Sequence, residues 1–339
     1  MNYNLLAKFD DSLELVCAAP SSCETISTIS DLDFMQEDCI VFLGDKKYLE
    51  KFISQTSNIK PHVVVAKKLG AGIDELKKKS LSVWSSEKPH VSITKISKAF
   101  FQEKIEGLNY WHDSRQNGEA QVDPTSFIAQ GVFLGEGVRI GANVKVHAGC
   151  VISAKCEIEE GSEIFPNCTI YPFTKIGKNV RIHAGTTIGA DGFGYNFDGG
   201  VHHKIWHLGG VVIEDDVEIG ANSCVDAGTF YATTIGAGSK IDNHVQVGHN
   251  CLIGRGVIMC GQVAIAGSAR IGDFTVIGGK AAVGNGVHVG SACQIAGNAM
   301  VTANLEDKAT VGGHPARPLN EWLKGVAWLR TQSLKPRGK

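Results

Sequence analysis

The sequence predicts a mainly β protein in which a parallel β-helix follows a small α/β domain and precedes a helical tail. Three observations support this fold class: a strict six-residue aliphatic repeat in the middle of the chain, its absence before residue 106, and an amphipathic segment after it ends. An α-helix repeats every 3.6 residues and a flat strand every 2. A period of six therefore indicates a solenoid whose short sides each contribute one inward side chain.

Residues 1–105 lack the repeat and predict a separate α/β domain. Asp45 precedes a segment with apolar residues at helical spacing, which predicts a helix capped by that aspartate. A second helix is predicted over 93–102, and the polar segment 106–121 is the predicted linker. The predicted strands, which are apolar runs with β-branched residues, are 39–44, 62–66 and 80–84.

The β-helix is predicted over 122–304. The repeat occupies 27 positions, of which 26 hold Ile, Val or Leu and one holds Met. It runs in steps of six over Val122–Ile188, Ile213–Val225 and Ile235–Val301. Gly follows the aliphatic residue at twelve of these positions, and glycine accepts the tight or positive-φ corners of such a coil.

Two insertions interrupt the repeat. The segment between Ile188 and Ile213 is rich in glycine, aromatic residues and histidine, and a shorter bulge lies near GTFYATT, between Val225 and Ile235. Insertions that break a solenoid repeat usually lie on its working face. Both are therefore predicted to lie beside the functional site.

Residues 305–339 predict a helical extension. Pro318 can start a helix, and Leu319, Trp322, Leu323 and Val326 form an apolar stripe with Leu334. From residue 315 onward the chain has six basic residues and one acidic residue. Two interpretations stay open: a helix that caps the end of the β-helix, or a docking site for an acidic partner.

Composition excludes several classes of protein. The formal net charge is -2, and no basic run occurs before the tail, which argues against nucleic acid as the main partner. No apolar stretch reaches the roughly 18 residues of a membrane span, and the first residues include acids where a signal peptide is apolar. A cytoplasmic protein is expected.

The ten cysteines include no C-x-x-C pair, so neither a metal site nor a disulfide framework is predicted. Five of them lie four places after a repeat position, where small residues otherwise predominate. These five are predicted to fill the wall of the β-helix. They are Cys150, Cys156, Cys168, Cys251 and Cys293.

Four motifs resemble a named family. They are FLGDKKY in the first domain, ADGFGY in the long insertion, VQVGHNCLIG in the repeat and GGHPARPLNEWL after it. Together they are similar to the UDP-3-O-(3-hydroxyacyl)glucosamine N-acyltransferases of lipid A biosynthesis, over almost the whole chain. That resemblance implies a left-handed β-helix with three hexads per coil, nine coils, and a homotrimer whose sites lie in the seams between subunits.

The resemblance also implies a reaction: transfer of a 3-hydroxyacyl chain from an acyl carrier protein thioester to the 2-amino group of UDP-3-O-acylglucosamine. No cofactor and no metal are implied. His249 matches the family's catalytic base, a role that suits an imidazole because it titrates near neutral pH. Gly267, one coil further on, matches the amide that binds the oxyanion. Asp242 and Gln246 match polar positions that orient the base or contact substrate.

Further residues are assigned to substrate by resemblance. Phe42 and Tyr48 match an aromatic pair that holds the uracil ring in a uridine-binding first domain. Asp45 lies between them, where the family usually has Asn, and an ionised carboxylate accepts but does not donate a hydrogen bond. Met300 and Thr302 match positions near the end of an acyl groove.

The chain departs from the family at two other places. The family commonly has D-R-G where this chain has Asp226, Ala227 and Gly228, so one guanidinium is missing. Some members have a histidine at the position of Gly286, whereas this chain has His288 two places later. Auxiliary substrate contacts are expected to differ.

Other functions stay open at this stage. The UDP-N-acetylglucosamine O-acyltransferase has the same repeat but normally lacks a domain like residues 1–105. A sugar-phosphate uridylyltransferase fusion would need a Gly-rich phosphate loop. A β-helix carbonic anhydrase would need three converging histidines, and His147 and His183 lie two coils apart. A non-catalytic scaffold is the last alternative.

Overall fold

The computed structural model describes residues 1–55, 58–69, 73–108, 120–313 and 316–334. The predicted linker, 106–121, lies largely outside them. The described part contains a five-stranded sheet domain, a three-sided β-helix with a long insertion, and a C-terminal helix.

The first domain has one mixed sheet. Its strands, in spatial order, are Glu14–Cys17, Ser82–Ser86, His62–Ala66, Cys39–Leu43 and Thr28–Ile29, and all pairs are parallel except the first. The helices of this domain are α1 (Leu6–Phe9), α2 (Lys46–Ser54), α3 (Ile73–Lys79) and α4 (Pro89–Ile105), with 3-10 turns at Tyr3–Leu5 and Lys67–Leu69. The two central strands are almost wholly buried, as continuous apolar runs in parallel sheets usually are.

The predicted strand-turn-helix unit is present. Asp45 accepts a hydrogen bond from the Tyr48 backbone N–H at 3.0 Å and caps α2. Helix α4 begins earlier than the predicted 93, because Pro89 occupies its first turn, where the missing N–H costs no intrahelical bond. The third strand begins at Ser82 rather than residue 80.

Three parallel sheets form the sides of a left-handed parallel β-helix. Face 1 consists of Gln121–Val122, Arg139–Ile140, Glu157–Ile158, Lys175–Ile176, Val211–Ile213, Thr233–Ile235, Leu252–Ile253, Arg270–Ile271 and His288–Val289. Face 2 consists of Phe127–Ile128, Lys145–Val146, Glu163–Ile164, Arg181–Ile182, Glu218–Ile219, Lys240–Ile241, Ile258–Met259, Val276–Ile277, Gln294–Ile295 and Thr310–Val311. Face 3 consists of Phe133–Leu134, Val151–Ile152, Thr169–Ile170, Thr187–Asp191, Cys224–Ala227, Gln246–Val247, Ala264–Ile265, Ala282–Val283 and Met300–Val301.

The repeat positions form one continuous core inside the three-sided β-helix, which we call the prism. From Leu134 to Val301 they are buried, and the five predicted wall cysteines are completely buried with them. Val122 is 38 % exposed and Ile128 is partly buried, because their strands are the end strands of faces 1 and 2 in the described part of the chain. Face 2 continues past the predicted boundary at 304, since Thr310–Val311 pairs with Gln294–Ile295.

The sequence predicted tight or positive-φ corners at the glycines that follow the aliphatic residues, and close packing of the coils accounts for most of them. At Gly248, a Cβ would lie 2.7 Å from the Gly267 backbone nitrogen of the next coil, so the close approach of two coils excludes a side chain. Left-handed φ angles fall instead near the middle of the corners, for example at Asn250 and Ser268. Gly189 is an exception, with φ +88°.

The long insertion forms a hairpin, Tyr195–Asp198 with Val201–Lys204, which packs on α4. Lys88 forms an ion pair with Asp198 at 2.8 Å. At the shorter bulge, Tyr231 stacks on Phe34 of the first domain with ring centroids 4.0 Å apart. The first domain is therefore attached to the prism at both interruptions of the repeat.

Helix α5 (Leu319–Ser333) begins directly after Pro318, as predicted. None of its residues is buried, and Trp322 and Leu323 are about half exposed. In the single chain the helix therefore buries no side chain against the β-helix, and both interpretations of the tail stay predictions. Among the described residues, no helix has both the length and the apolar character that a membrane crossing demands.

Candidate active site

A cleft of about 580 Å³ lies where the long insertion meets face 3. The corner after Gln246–Val247 forms one wall and the start of the insertion forms the other. Because the two walls come from sequence positions far apart, the cleft exists only once the coils have stacked. Its lining residues are Asp191, Gly192, Phe193, Tyr195, Asp226, Gln246, Gly248, His249, Ile265, Ala266, Gly267 and Asn285.

His249 lies in this cleft with its ring between two glycines. A Cβ on Gly192 would lie 2.5 Å from the His249 Cβ, and a Cβ on Gly267 would lie 2.6 Å from Nε2. Contacts this close leave no room for any larger residue. The two glycines therefore fix the position of the ring.

The two ring nitrogens of His249 have different surroundings. Nδ1 is buried and makes no hydrogen bond within the described part of the chain, which leaves Nε2 facing the cleft. Burial lowers the pKa of His249, and the nearby Phe193 carbonyl partly opposes this shift. The ring is therefore neutral at pH 7 and able to accept a proton.

Gly267 lies beside Nε2, one coil after His249, as the resemblance implied. In the described chain its backbone N–H makes no hydrogen bond, while its carbonyl accepts one from Gly286 at 3.0 Å. The Ser268 N–H donates to the His249 carbonyl at 2.7 Å and ties the two corners together. An unused N–H thus lies within a few ångströms of a neutral imidazole.

Gln246 also lies in the cleft, on the outer side of face 3. Its Nε2 donates to Asp226 Oδ1 at 2.9 Å. Burial raises the pKa of Asp226, and the neighbouring Asp191 carboxylate adds to that shift. Asp191 in turn forms an ion pair with Lys204 at 2.5 Å. Two carboxylates, those of Asp191 and Asp226, therefore flank the cleft. Neither was predicted as a site residue from the sequence.

Asp242 is not brought to His249 within one chain. It follows Ile241 on face 2, and its carboxylate accepts hydrogen bonds from the backbone and side chain of Asn243. Since successive hexads lie on successive faces, residues 242 and 249 occupy different corners of the prism. A single chain therefore does not bring Asp242 to the base, and its predicted role, orientation of His249 or contact with substrate, stays a prediction.

Met300 and Thr302 lie on or just after the last strand of face 3 and are exposed. Gln246 pairs in register with Ala264, Ala264 with Ala282, and Ala282 with Met300. Two alanines thus form a row of small side chains, called the trough below, between the cleft and Met300, which is about 14 Å away at the spacing of β-strands.

Phe42, Asp45 and Tyr48 are located at the strand-to-helix turn of the first domain. Phe42 is half-buried at the end of its strand, and Tyr48 is 50 % exposed on the first turn of α2. Asp45 uses one carboxylate oxygen to cap that helix. Lys51 of α2 forms an ion pair with Asp33 at 2.6 Å. Asp33 also forms an ion pair with Arg270 of the prism, at 3.2 Å.

The departures from the family pattern have visible consequences. Ala227 is buried on face 3, so no longer side chain points into the cleft from that position. Gly286 has φ +66° with open space around it, and the neighbouring Asn285 lines the cleft instead. His288 is exposed on face 1 and does not line the cleft.

The two histidines weighed for a metal site are occupied otherwise. Phe165 lies between the rings of His147 and His183, with centroids 5.3 and 4.7 Å away, and His147 bonds to Glu163 at 2.9 Å. Across the described residues, no group of three or more His, Cys, Asp or Glu side chains is arranged to hold a metal ion.

Two family models of hexapeptide repeats match segments of the β-helix. The model of the bacterial transferase hexapeptide (six repeats) matches residues 155–190, and the model of the hexapeptide repeat of succinyl-transferase matches 130–154, 210–245 and 268–303. Solved structures that are similar include UDP-N-acetylglucosamine acyltransferases from Bacteroides fragilis (22 % identity, 65 % of this chain and 79 % of that chain, TM-score 0.46) and Campylobacter jejuni (22 %, 66 % and 86 %, TM-score 0.40).

The repeat, the three-sided coil and the histidine cleft define a hexapeptide-repeat acyltransferase. A UDP-3-O-acylglucosamine N-acyltransferase of Wolinella succinogenes is 38 % identical over 336 residues, covering 99 % of both chains. The enzyme of the same name from Desulfotalea psychrophila is 58 % identical over 140 residues, 41 % of each chain. The chain belongs to the UDP-3-O-acylglucosamine N-acyltransferase family.

Proposed function

We propose that this chain transfers a 3-hydroxyacyl group from an acyl carrier protein thioester to the 2-amino group of UDP-3-O-(3-hydroxyacyl)glucosamine. The full-length relative supports the acceptor and the reaction type. The observation on which the mechanism rests is the neutral His249 ring, held between two glycines with Nε2 open to the cleft.

His249 acts as the general base. An amine attacks a carbonyl only through its free electron pair, so a proton must leave the nitrogen as the C–N bond forms. Burial keeps the imidazole neutral, and Nε2 is the nitrogen that can receive this proton. When the C–S bond breaks, the imidazolium returns the proton to the carrier's sulfur, which yields an amide and a thiol.

Gly267 stabilises the tetrahedral intermediate. The attack places negative charge on the thioester oxygen, and a fixed backbone N–H that is not already hydrogen-bonded can bind that charge without reorganisation. The Gly267 N–H meets this condition and lies beside the base. No cofactor is required, because the thioester is already an activated acyl donor.

A homotrimer completes the site in this proposal. The cleft is open on its outer side, and Phe193 at its rim is 85 % exposed, which is unusual for a phenylalanine in a finished site. A neighbouring protomer would cover this rim and would bring its own face 2, with Asp242, to the seam. Asp242 would then contact substrate across the interface.

The acceptor is held at both of its ends. In the first domain, Phe42 and Tyr48 stack on the uracil ring, and the free carboxylate oxygen of Asp45 accepts its imide N–H. The Asp33 ion pairs with Lys51 and Arg270 support the relative position of this domain and the prism. The acyl chain lies in the trough of face 3, where Met300 and Thr302 limit its length.

The acyl carrier protein docks on the tail. From residue 315 onward the sequence has six basic residues and one acidic residue, and helix α5 exposes its apolar stripe. A surface that is both cationic and apolar suits an acidic helical partner. The same surface would not be needed by a scaffold that never meets a carrier.

The test is acyl transfer by the full chain from acyl carrier protein thioester to UDP-3-O-acylglucosamine, with His249→Ala and His288→Ala compared. Loss of the base should lower kcat/KM by about 10²–10⁴-fold. His288→Ala serves as the matched control, since that histidine lies outside the cleft and should leave turnover unchanged. Near-normal turnover in His249→Ala, with the fold intact by circular dichroism, would refute the proposal.

A further inference from the structure

A buried histidine lies next to the proposed base, which is itself only partly buried. His207 is 5 % exposed, and its ring centroid is 5.6 Å from that of His249 with the ring planes at 75°. His207 does not line the cleft. It therefore contacts His249 edge to face without reaching the space in which substrate would lie.

The nitrogens of His207 do not account for its presence. Both are buried, and neither makes a hydrogen bond within the described residues. Burial lowers the pKa of His207 to about 4, with Asp191 opposing the shift and His249 and Lys204 adding to it. The ring is therefore neutral, and leaving two polar atoms unpaired is unfavourable. What the ring supplies is its shape.

A rigid segment holds His207 in place. We call residues 205–208 the strap. The Ile205 N–H donates to the Gly194 carbonyl at 2.9 Å, and the Trp206 N–H donates to Ser97 Oγ of α4 at 3.2 Å. Leu208 belongs to the core of the first domain. The strap is thus fixed by the insertion on one side and by the first domain on the other.

Glycines leave space for both rings but for nothing else. A Cβ on Gly194 would lie 3.0 Å from Cε1 of His207, just as a Cβ on Gly192 would collide with His249. His249 is therefore enclosed by Gly192 and Gly267 at its sides and by the His207 ring behind. Removal of the His207 ring would open a boundary of His249 that no glycine forms.

We propose that His207 is a positioning residue for His249: its ring closes the buried side of the base and keeps Nε2 directed into the cleft. This inference rests on the proposed function of His249. It assigns no hydrogen bond to His207, so the ring should be replaceable by another flat ring of similar size.

The test compares His207→Phe and His207→Ala in the full chain. Phenylalanine keeps a buried ring without nitrogens, and its kcat should stay within about threefold of the wild type. Alanine leaves space for His249 to turn, and a misplaced base typically costs roughly 10- to 100-fold in rate. The KM values for both substrates should not change, because His207 does not line the cleft.

The pH profile supplies a readout that a loss of stability would not produce. In His207→Ala, water can enter behind His249 and relieve the burial that lowers its pKa, so the acidic limb of kcat/KM should move to higher pH. In His207→Phe the limb should stay where it is. Asp191, Asp226 and Lys204 are the other charged groups near the rings, and all three are retained in both variants.

Two results would overturn the inference. One is an alanine variant with wild-type kcat and an unmoved acidic limb. The other is a phenylalanine variant as impaired as alanine while equally well folded, which would assign the role to the ring nitrogens. Either result, obtained while His249→Ala is inactive, leaves the proposed base intact. Activity in His249→Ala would instead remove both.

Discussion

The regular coils and the long insertion contribute different halves of the same site. The coils supply the backbone: the Gly267 N–H, the corner that bears His249 and the alanine-floored trough all follow from the stacking of hexads. The insertion supplies enclosure through Gly192, Phe193 and the strap with His207. A repetitive frame thus gives accurate spacing, whereas the departure from repetition gives the site its walls and its burial.

This division can be tested by adding one methyl group on either side of the base. Gly267→Ala alters the coil wall, where Cβ would lie 2.6 Å from Nε2, and Gly192→Ala alters the insertion wall, where it would lie 2.5 Å from the His249 Cβ. Either collision must displace the ring, so kcat should fall about 100-fold or more. Steady-state kinetics with both substrates measures this.

The two alanine variants should differ in their second effect. Gly267→Ala also crowds the proposed oxyanion site, so it should lose more kcat than Gly192→Ala. Gly313→Ala is a suitable control, because its Cβ would meet open space. Equal, near-wild-type rates in the Gly192 and Gly267 variants would show that neither wall fixes the ring.

The tail contrasts with both halves because none of the residues of helix α5 is buried. Removing residues from 316 onward should raise the apparent KM for acyl carrier protein about tenfold and leave kcat with saturating carrier nearly unchanged. The increase should be larger at low salt, since exposed charges are screened less there. KM measured at two ionic strengths checks this, with the KM for the sugar nucleotide as the internal control. An unchanged carrier KM would remove the tail from the docking proposal.

The regular half could be predicted from sequence almost completely. The period of six specified the inward residues, because each flat side contributes one large inward side chain per coil. It also placed Gly267 next to His249 from the sequence alone, because one coil contains a fixed number of residues. The wall cysteines followed from the same periodicity, and all five are buried.

The irregular half could not be predicted in that way. His207 lies in a His-rich insertion that was recognised as functional, but nothing in its local sequence tells which histidine turns inward. That choice depends on Trp206 and Leu208 being fixed by the first domain, whose contacts are far away in sequence. The sequence gives no sign of the Asp226–Gln246 hydrogen bond, because it joins two adjacent coils of face 3 that are 20 residues apart in the chain. Asp242 belongs to the same sequence segment as His249, but the chain turns from face 2 to face 3 between them, so within one chain the two residues lie at different corners of the prism.

The smallest predicted effect is on the free energy of unfolding at acidic pH, to which the irregular half contributes through His207. His207 belongs to the irregular half, and burial holds its pKa near 4, against about 6.5 in an unfolded chain. Because the folded pKa is the lower one, the unfolded state binds more protons between these values. The contribution of neutral, buried His207 to the free energy of unfolding is therefore fully present above about pH 6.5 and is lost as the pH falls toward 4.

His207→Phe should remove this part of the acid sensitivity. Lowering the pH from 7 to 5 should cost the wild type about 2 kcal/mol through His207 alone. Over the same pH change, the free energy of unfolding of the phenylalanine variant should fall less than that of the wild type, by about that amount. At pH 7 the variant should be at least as stable as the wild type, because two unpaired nitrogens are replaced by apolar atoms. Urea unfolding at both pH values and one fixed protein concentration measures the difference. Identical losses in the two proteins would mean that His207 is not held neutral, and that the insertion encloses the site less tightly than the contacts at His249 indicate.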